Sequence, residues 1–458
     1  MAGYRAEVCE PAREWEEALT LSAERRSMRL LVLENEPSHG RGGQEMSLFD
    51  ICRGMAERGH QVHLLYNREG NLLPLYRGFC CSVTRAGEYS IDRKALPRSL
   101  LQWARSLSAV SRTGVDVVYC NQYLDALFAG MAARKLRVPL VCHLRLPPPD
   151  RFCGQWQFGL GAATRFIAVS HATSEQYIRA GFRKDTITVV YNGIDPSQFA
   201  PADDREATRQ TLGIPGNAFT VIYTGRIDPV KNPEMLIEAF ARISPEMLSP
   251  PHEFGAWPLE NPTNRIPLPR PTRTPGERPH LLMVGSTVEQ TTAGPGPAYA
   301  ETLYALCRRL KVEERVHWLG RRADVPALFR AADLLALPSR FQEPFGRVLI
   351  EAMACGIPAV ATAVGGIPEI LSGPFNRFLV PSGDVDQLAA VVGSLSRWRE
   401  TDPDLGQRCR DHVIRNFPLT STLDGAERCL LEAVQIGPAR LGPSLRTLRA
   451  WRAGESEG

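Results

Sequence analysis

The stretch Pro338-Ser339-Arg340-Phe341-Gln342-Glu343-Pro344-Phe345-Gly346-Arg347-Val348-Leu349-Ile350-Glu351 sets two carboxylates around a proline and a glycine. Pro344, ahead of an apolar run with helical spacing, predicts a helix that starts near Phe345 and ends near Gly356. Glu343 then stands in the loop at the helix mouth and Glu351 almost two turns in, so that both can face one ligand. Carboxylates there can accept hydrogen bonds from vicinal hydroxyls, while the unpaired N–H groups of Phe345 and Gly346 suit a phosphate. A second turn, Thr224-Gly225-Arg226-Ile227-Asp228-Pro229-Val230-Lys231, offers a guanidinium and an ammonium to a diphosphate. A third, Pro37-Ser38-His39-Gly40-Arg41-Gly42-Gly43-Gln44-Glu45, has glycines that let an anion approach the backbone ahead of a helix. Glu45 occupies the position where a GxGxxG dinucleotide fingerprint needs its last glycine, which disfavours a hydride-transfer enzyme. Taken singly, a plain tight turn and two solvated cations account for the last two turns as well as ligand binding does. The paired acids around the helix mouth fit that bland reading poorly.

The elements that must position these turns follow from the hydrophobic pattern. Short apolar runs at 28–33, 62–66, 115–120, 140–143 and 165–169 alternate with helical spacing at 45–58, 125–134 and 174–180. That alternation signals a parallel sheet with crossover helices. A segment rich in Pro, Asp and Gly at 195–216 interrupts it, and strand-like runs resume at 219–223, 281–284, 316–319, 334–338, 359–361 and 378–380. The expectation is an α/β chain of two doubly wound domains, 28–215 and 216–420, facing one another across a cleft that holds the substrate.

Composition bounds the rest. Of 458 residues, 43% are hydrophobic and 23% charged, which excludes disorder, collagen and coiled coil as overall descriptions. A net charge of +4 is too small to argue for a nucleic-acid partner. No run approaches the roughly eighteen apolar residues of a membrane span. Eleven scattered cysteines without a CxxC pair fit a reduced, cytosolic chain with no metal site. Residues 1–27 read as an acidic extension, with Met28 as the expected alternative start. Residues 244–279 hold ten prolines in 36 positions and read as a surface insertion, and residues 437–458 read as a tail. Residues 94–113 carry Arg98, Arg105 and Arg112 beside Leu100, Leu101, Trp103 and Leu107. That pattern suits either a half-buried helix or peripheral contact with a membrane surface.

Taken together, the motifs resemble the retaining family-4 glycosyltransferases of the GT-B fold, in which two Rossmann-like domains face across a cleft. The resemblance runs from Met28 to about Val434. It is carried by Gly42-Gly43-Gln44-Glu45, Arg58-Gly59-His60-Gln61-Val62, Val169-Ser170, Tyr191-Asn192-Gly193-Ile194-Asp195, Gly225-Arg226 with Lys231, Glu343 with Glu351, Gly365-Gly366-Ile367-Pro368-Glu369 and Pro381-Ser382-Gly383-Asp384. It implies transfer of a sugar from a nucleotide-diphosphate-sugar, a co-substrate rather than a cofactor, to a glycan, lipid-linked or small-molecule acceptor in polysaccharide or glycoconjugate synthesis. Arg226 and Lys231 would hold the diphosphate. Glu343 would contact the sugar, Glu351 the ribose, and His143 would lie close to the transferred sugar. Gly42, Gly43, Gly225, Phe345 and Gly346 would form the donor-binding turns. The resemblance also implies a helix at 421–436 crossing back to the first domain, a metal-independent reaction and a cytoplasmic enzyme, peripheral at the inner membrane surface if 94–113 binds lipid. This chain departs from the family pattern at Tyr119-Cys120-Asn121, where relatives often place a histidine, and at Pro374-Phe375-Asn376-Arg377, where a glycine-rich turn is usual. The rival readings are another GT-B enzyme, such as a nucleotide-sugar epimerase or sugar-phosphate synthase, and a non-catalytic nucleotide-sugar-binding protein.

Overall fold

A computed structural model describes residues 27–39, 42–89, 91, 96–110, 114–243, 278–286 and 296–439. The acidic extension up to residue 26, residues 244–277 of the proline-rich insertion and the tail beyond 439 lie outside the described residues.

Among the described residues the chain forms two parallel sheets. The first contains β1 (Arg29–Glu34), β2 (Gln61–Tyr66), β3 (Ser82–Arg85), β4 (Val117–Cys120), β5 (Leu140–Leu144), β6 (Arg165–Ala168) and β7 (Ile187–Val189), in spatial order β3-β2-β1-β4-β5-β6-β7. The second contains β8 (Thr220–Thr224), β9 (His280–Val284), β10 (Val316–Gly320), β11 (Leu334–Leu337), β12 (Ala359–Thr362) and β13 (Leu379–Val380), in order β10-β9-β8-β11-β12-β13. Both orders reverse beside the first strand of the sheet, so a crevice opens outside the carboxyl ends of the strands there.

The central strands are largely apolar because both faces of each sheet are covered there. In β1, Leu30 and Val32 enter the core beneath the helix α1 (Gly43–Glu57), whereas Leu31 and Leu33 enter the opposite core beneath α2 (Ala126–Leu136). One layer of the first domain comes from the far end of the chain. Helix α3 (Leu419–Ile436) places Leu423, Ala426, Cys429, Leu430 and Ala433 in the core shared with α1. The two helices meet so closely that a Cβ on Gly54 would stand 2.4 Å from Leu423 Cδ1. The chain crosses between the domains twice, and the crossings pair: Ile194 N–H donates to Phe417 O (3.1 Å) and Leu419 N–H to Ile194 O (3.0 Å).

Two edge strands, β3 and β7, are not signalled by the hydrophobic pattern, and neither has a buried residue. The helix expected from Phe345 instead begins at Arg347, because Gly346 takes a left-handed conformation (φ 103°) and turns Phe345 into the core. Residues Gly373–Phe378, where the family glycine turn is replaced, form a 3-10 helix that delivers the chain to β13.

Since Leu430 is fully buried, Leu430→Ala should destabilise the first domain by about 2–5 kcal/mol in denaturant unfolding. A cost below about 1 kcal/mol would show that α3 is not part of that core.

Candidate functional site

The turn after β8 is built to hold its cations still. Gly225 N–H donates to Val284 O at 3.0 Å, and a Cβ on Gly285 would lie 1.8 Å from Gly225 O, so the turns after β8 and β9 lie backbone to backbone. The Asp228 carboxylate accepts from Val230 N–H at 3.0 Å and starts the single 3-10 turn Pro229–Lys231. Lys231 then reaches across to the loop after β11, where its Nζ donates to Glu343 Oε2 at 2.5 Å and sits 4.8 Å from the centre of the Phe341 ring. Ser339 Oγ donates to the same carboxylate oxygen at 3.1 Å. Arg226 stays at the rim, 42% exposed, 3.7 Å from Asp228.

The loop 338–346 is pinned on every side. Arg340 N–H donates to Val230 O (3.0 Å) and Gly366 N–H to Glu343 O (2.8 Å). Gly365 has φ +56°, and a Cβ there would stand 2.0 Å from Glu343 O, so only glycine fits beneath the carboxylate's own backbone. Phe345 is buried between the rings of Tyr191 and Phe417, with centroid separations of 5.9 and 5.8 Å. Its side chain is therefore core, and only its main chain can serve a ligand. Gly346 stands at the N-terminus of the helix α4 (Arg347–Ala354), whose first N–H groups have no partner within the helix.

The two glutamates do not share a partner. Glu351 lies within α4 and accepts from Arg347 Nε at 2.8 Å, while Arg347 Nη2 donates across the cleft to Asp50 Oδ2 of α1, also at 2.8 Å. Burial pushes the Glu351 carboxyl up, against the downward pull of Arg347. The third nitrogen of that guanidinium, Nη1, is buried without a partner. Gly43 lies against the same side chain, its Cβ position 3.4 Å from Arg347 Cβ, and Gly42 has φ +138°. Gly43, Glu351 and Asp50 thus gather around one arginine to which sequence reasoning assigned no role. Its position four residues before Glu351 was the available signal. Asp50, almost 300 residues away in the chain, gave none.

His143 ends the deepest part of the first-domain wall. It is fully buried, and its Nδ1 is hydrogen-bonded to Tyr119 Oη. Beside it, Arg145 donates to Asn121 Oδ1 (2.6 Å), Ser47 Oγ (2.8 Å) and Asn192 Oδ1 (3.0 Å), and Asn121 donates to Glu34 Oε2 (3.0 Å). Burial, reinforced by Arg145, pushes the His143 imidazole well below its ordinary pKa and leaves it neutral. Arg145, Asn121 and Glu34 also escaped the sequence reading, because nothing about isolated polar residues at strand ends announces a shared network.

The two walls touch. Ser170 Oγ (2.7 Å) and Thr173 Oγ1 (3.2 Å) of the first domain donate to Pro344 O of the second. Glu369 accepts from the N–H groups of His171 (2.9 Å) and Ala172 (2.8 Å), at the start of a first-domain helix, and from Tyr191 Oη (2.8 Å).

Known proteins match this chain in sequence and fold. A family model described as "Glycosyltransferase Family 4" matches residues 41–198, and one described as "Glycosyl transferases group 1" matches residues 272–412. The D-inositol 3-phosphate glycosyltransferase of Streptomyces bingchenggensis is 28% identical over 84% of this chain and 83% of its own. The crystal structure of Anabaena Alr3699/HepE in complex with UDP and glucose aligns with a TM-score of 0.71 at 26% identity, covering 88% of this chain and 99% of that one. Sucrose-phosphate synthase from Thermosynechococcus elongatus shares the fold, with a TM-score of 0.65 at 22% identity over 90% and 98% of the two chains.

With both members of the pair shielded from water (15% and 11% exposed), Lys231→Met should strand the Glu343 carboxylate and cost about 3–5 kcal/mol of stability. Lys231→Met combined with Glu343→Met should cost less than Lys231→Met alone, as read by urea unfolding. A double-variant cost equal to the sum of the separate Lys231→Met and Glu343→Met costs would show that the pair is not coupled.

Proposed function

The chain belongs to the family-4, group 1 glycosyltransferases of the GT-B fold, and from its cleft we propose that it moves a sugar from a UDP-sugar donor to a hydroxyl acceptor with retention and without a metal ion. The observation that carries this reading is the Lys231–Glu343 pair, set between the Arg226 turn and the start of α4. In the free enzyme each neutralises the other. A diphosphate entering beside Arg226 competes for the Lys231 ammonium, which releases Glu343 Oε2 to accept from hydroxyls of the sugar. Donor binding thus exchanges one ion pair for two new sets of hydrogen bonds, so that neither group is left buried without a partner.

Cleavage breaks the bond between the anomeric carbon and the β-phosphate oxygen. Positive charge develops on the ring and negative charge on the leaving phosphate, where Arg226, Lys231 and the N–H groups at Gly346 are placed to meet it. Two side-chain cations and a helix terminus supply what a divalent ion would otherwise supply. The acceptor oxygen then bonds to the anomeric carbon from the face that the phosphate leaves, and its proton passes to the departing phosphate oxygen. That geometry needs no side-chain base. Glu351 takes the nucleotide ribose.

UDP as the nucleotide is supported by the Anabaena protein, whose crystal structure is a complex with UDP and glucose, and an inositol phosphate is the first acceptor to try because relatives are named for it. Glycan and lipid-linked acceptors complete the set. No helix among the described residues is long and apolar enough to cross a membrane. A cytoplasmic enzyme touching the membrane surface is supported by the helix Leu96–Val110, which exposes Leu96, Leu100 and Leu101 near Arg98 and Arg105.

Lys231→Ala should lower kcat about 10²–10³-fold, the loss typical of removing one preorganised charge-stabilising donor. Transfer by the unaltered chain should persist in excess chelator, and product NMR should show the donor's anomeric configuration. Inverted product or full activity of Lys231→Ala would overturn the mechanism. Isomerised donor in the absence of acceptor would favour the epimerase, and tight binding without turnover would favour the non-catalytic nucleotide-sugar-binding protein.

A further inference from the structure

Tyr119 and His143 lie on neighbouring strands of the first sheet, with Tyr119 opposite Val141 in register, so their side chains project from the same face two residues apart. Both are fully buried, and Tyr119 Oη is hydrogen-bonded to His143 Nδ1. The other imidazole nitrogen, Nε2, is also buried and has no partner.

The direction of that bond follows from the protons available to it. A neutral imidazole carries one N–H and one lone pair. The His143 imidazole is held neutral by burial and Arg145, and burial holds the Tyr119 phenol in its protonated form. That phenol has one proton to donate, and the charged group beside it, Arg145, can only donate. Nδ1 is the acceptor within reach, so Oη donates to Nδ1 and the imidazole proton sits on Nε2. No protein acceptor then faces this buried N–H at the cleft end of β5, which is costly unless a water or a ligand supplies one.

We propose that Tyr119 is a positioning residue, fixing the tautomer and ring orientation of His143 so that Nε2–H donates to a hydroxyl oxygen of the transferred sugar. This rests on reading the cleft as a nucleotide-sugar site. It assigns a task to Tyr119, which stands where the family pattern often has a histidine, and it makes the contact one that a sugar oxygen satisfies and a bare nucleotide cannot.

The full chain labelled with 15N-histidine reads the tautomer directly, with His143→Gln assigning the signals. A protonated Nε2 and a bare Nδ1 are expected in the free protein, with the Nε2 signal moving on addition of UDP-glucose and staying still with UDP. Tyr119→Phe should leave UDP affinity within about twofold and lower kcat with UDP-glucose about tenfold. A proton on Nδ1, an Nε2 signal that responds equally to UDP, or undiminished turnover by Tyr119→Phe would overturn the proposal. If Tyr119→Phe does not fold, the tautomer and ligand response of the unaltered chain decide alone. If the unaltered chain binds UDP but not UDP-glucose, the donor reading falls and the sugar contact with it, whereas the tautomer is still decided by the spectrum.

Discussion

The cleft depends on one constraint, the immobilisation of the loop 338–346 between the domains. Parallel strands end in loops on one side of the sheet, and this loop leaves β11, the neighbour of β8 at the centre of its sheet. Its carbonyls are claimed from two directions: Glu343 O by the Gly366 amide of its own domain, and Pro344 O by the Ser170 and Thr173 hydroxyls of the other. Phe345 anchors it from below by filling the space between Tyr191 and Phe417. A carboxylate carried by such a loop has little freedom of its own. Glu343 can exchange its partner without moving its backbone, which is what a preorganised polar site requires.

The buried charged groups that line the cleft have polar or charged partners. Lys231 has Glu343, and Arg347 is shared by Asp50 and Glu351. Arg145 is surrounded by the side-chain oxygens of Asn121, Ser47 and Asn192, with Glu34 joined to it through Asn121. Arg226 remains at the rim, loosely set against Asp228. An anion approaching the cleft therefore meets Arg226 first and reaches Lys231 only by displacing a carboxylate. A buried pair that is remade with a ligand avoids the penalty of an isolated buried charge at both ends of the exchange.

The architecture was legible because strands buried on both faces are continuous apolar runs, and runs such as 140–143 and 359–361 alternate with stretches of helical spacing. The edge strands β3 and β7 were not, because Ser82-Val83-Thr84-Arg85 and Ile187-Thr188-Val189 bury nothing fully and lack the run that marks a central strand. In the site, residue types were legible and partnerships were not. A cation and two acids announce anion and hydroxyl chemistry from their spacing alone, yet the assignment of Lys231 to Glu343 and of Glu351 to Arg347 depends on how distant turns converge. The start of α4 shows the same limit. Pro344 marks a helix start, but the aromatic cluster pulled Phe345 inward and moved the first helical residue to Arg347.

Arg347 also ties the two halves of the cleft into one electrostatic unit. Its Nε serves Glu351 in the second domain and its Nη2 serves Asp50 in the first, so the guanidinium keeps both bonds only while the domains stay at their present separation. Hydrogen bonds weaken steeply with distance and misalignment, and a shift of about an ångström between the walls must break one of the two. Whichever bond breaks, the charge balance at Glu351 changes, because its carboxyl is already raised by burial and pulled down by this cation. The contacts of Pro344 and Glu369 with the first domain resist that shift on the other side of the loop. Cleft width and the surroundings of the Glu351 carboxyl are therefore coupled through one side chain that belongs to both walls.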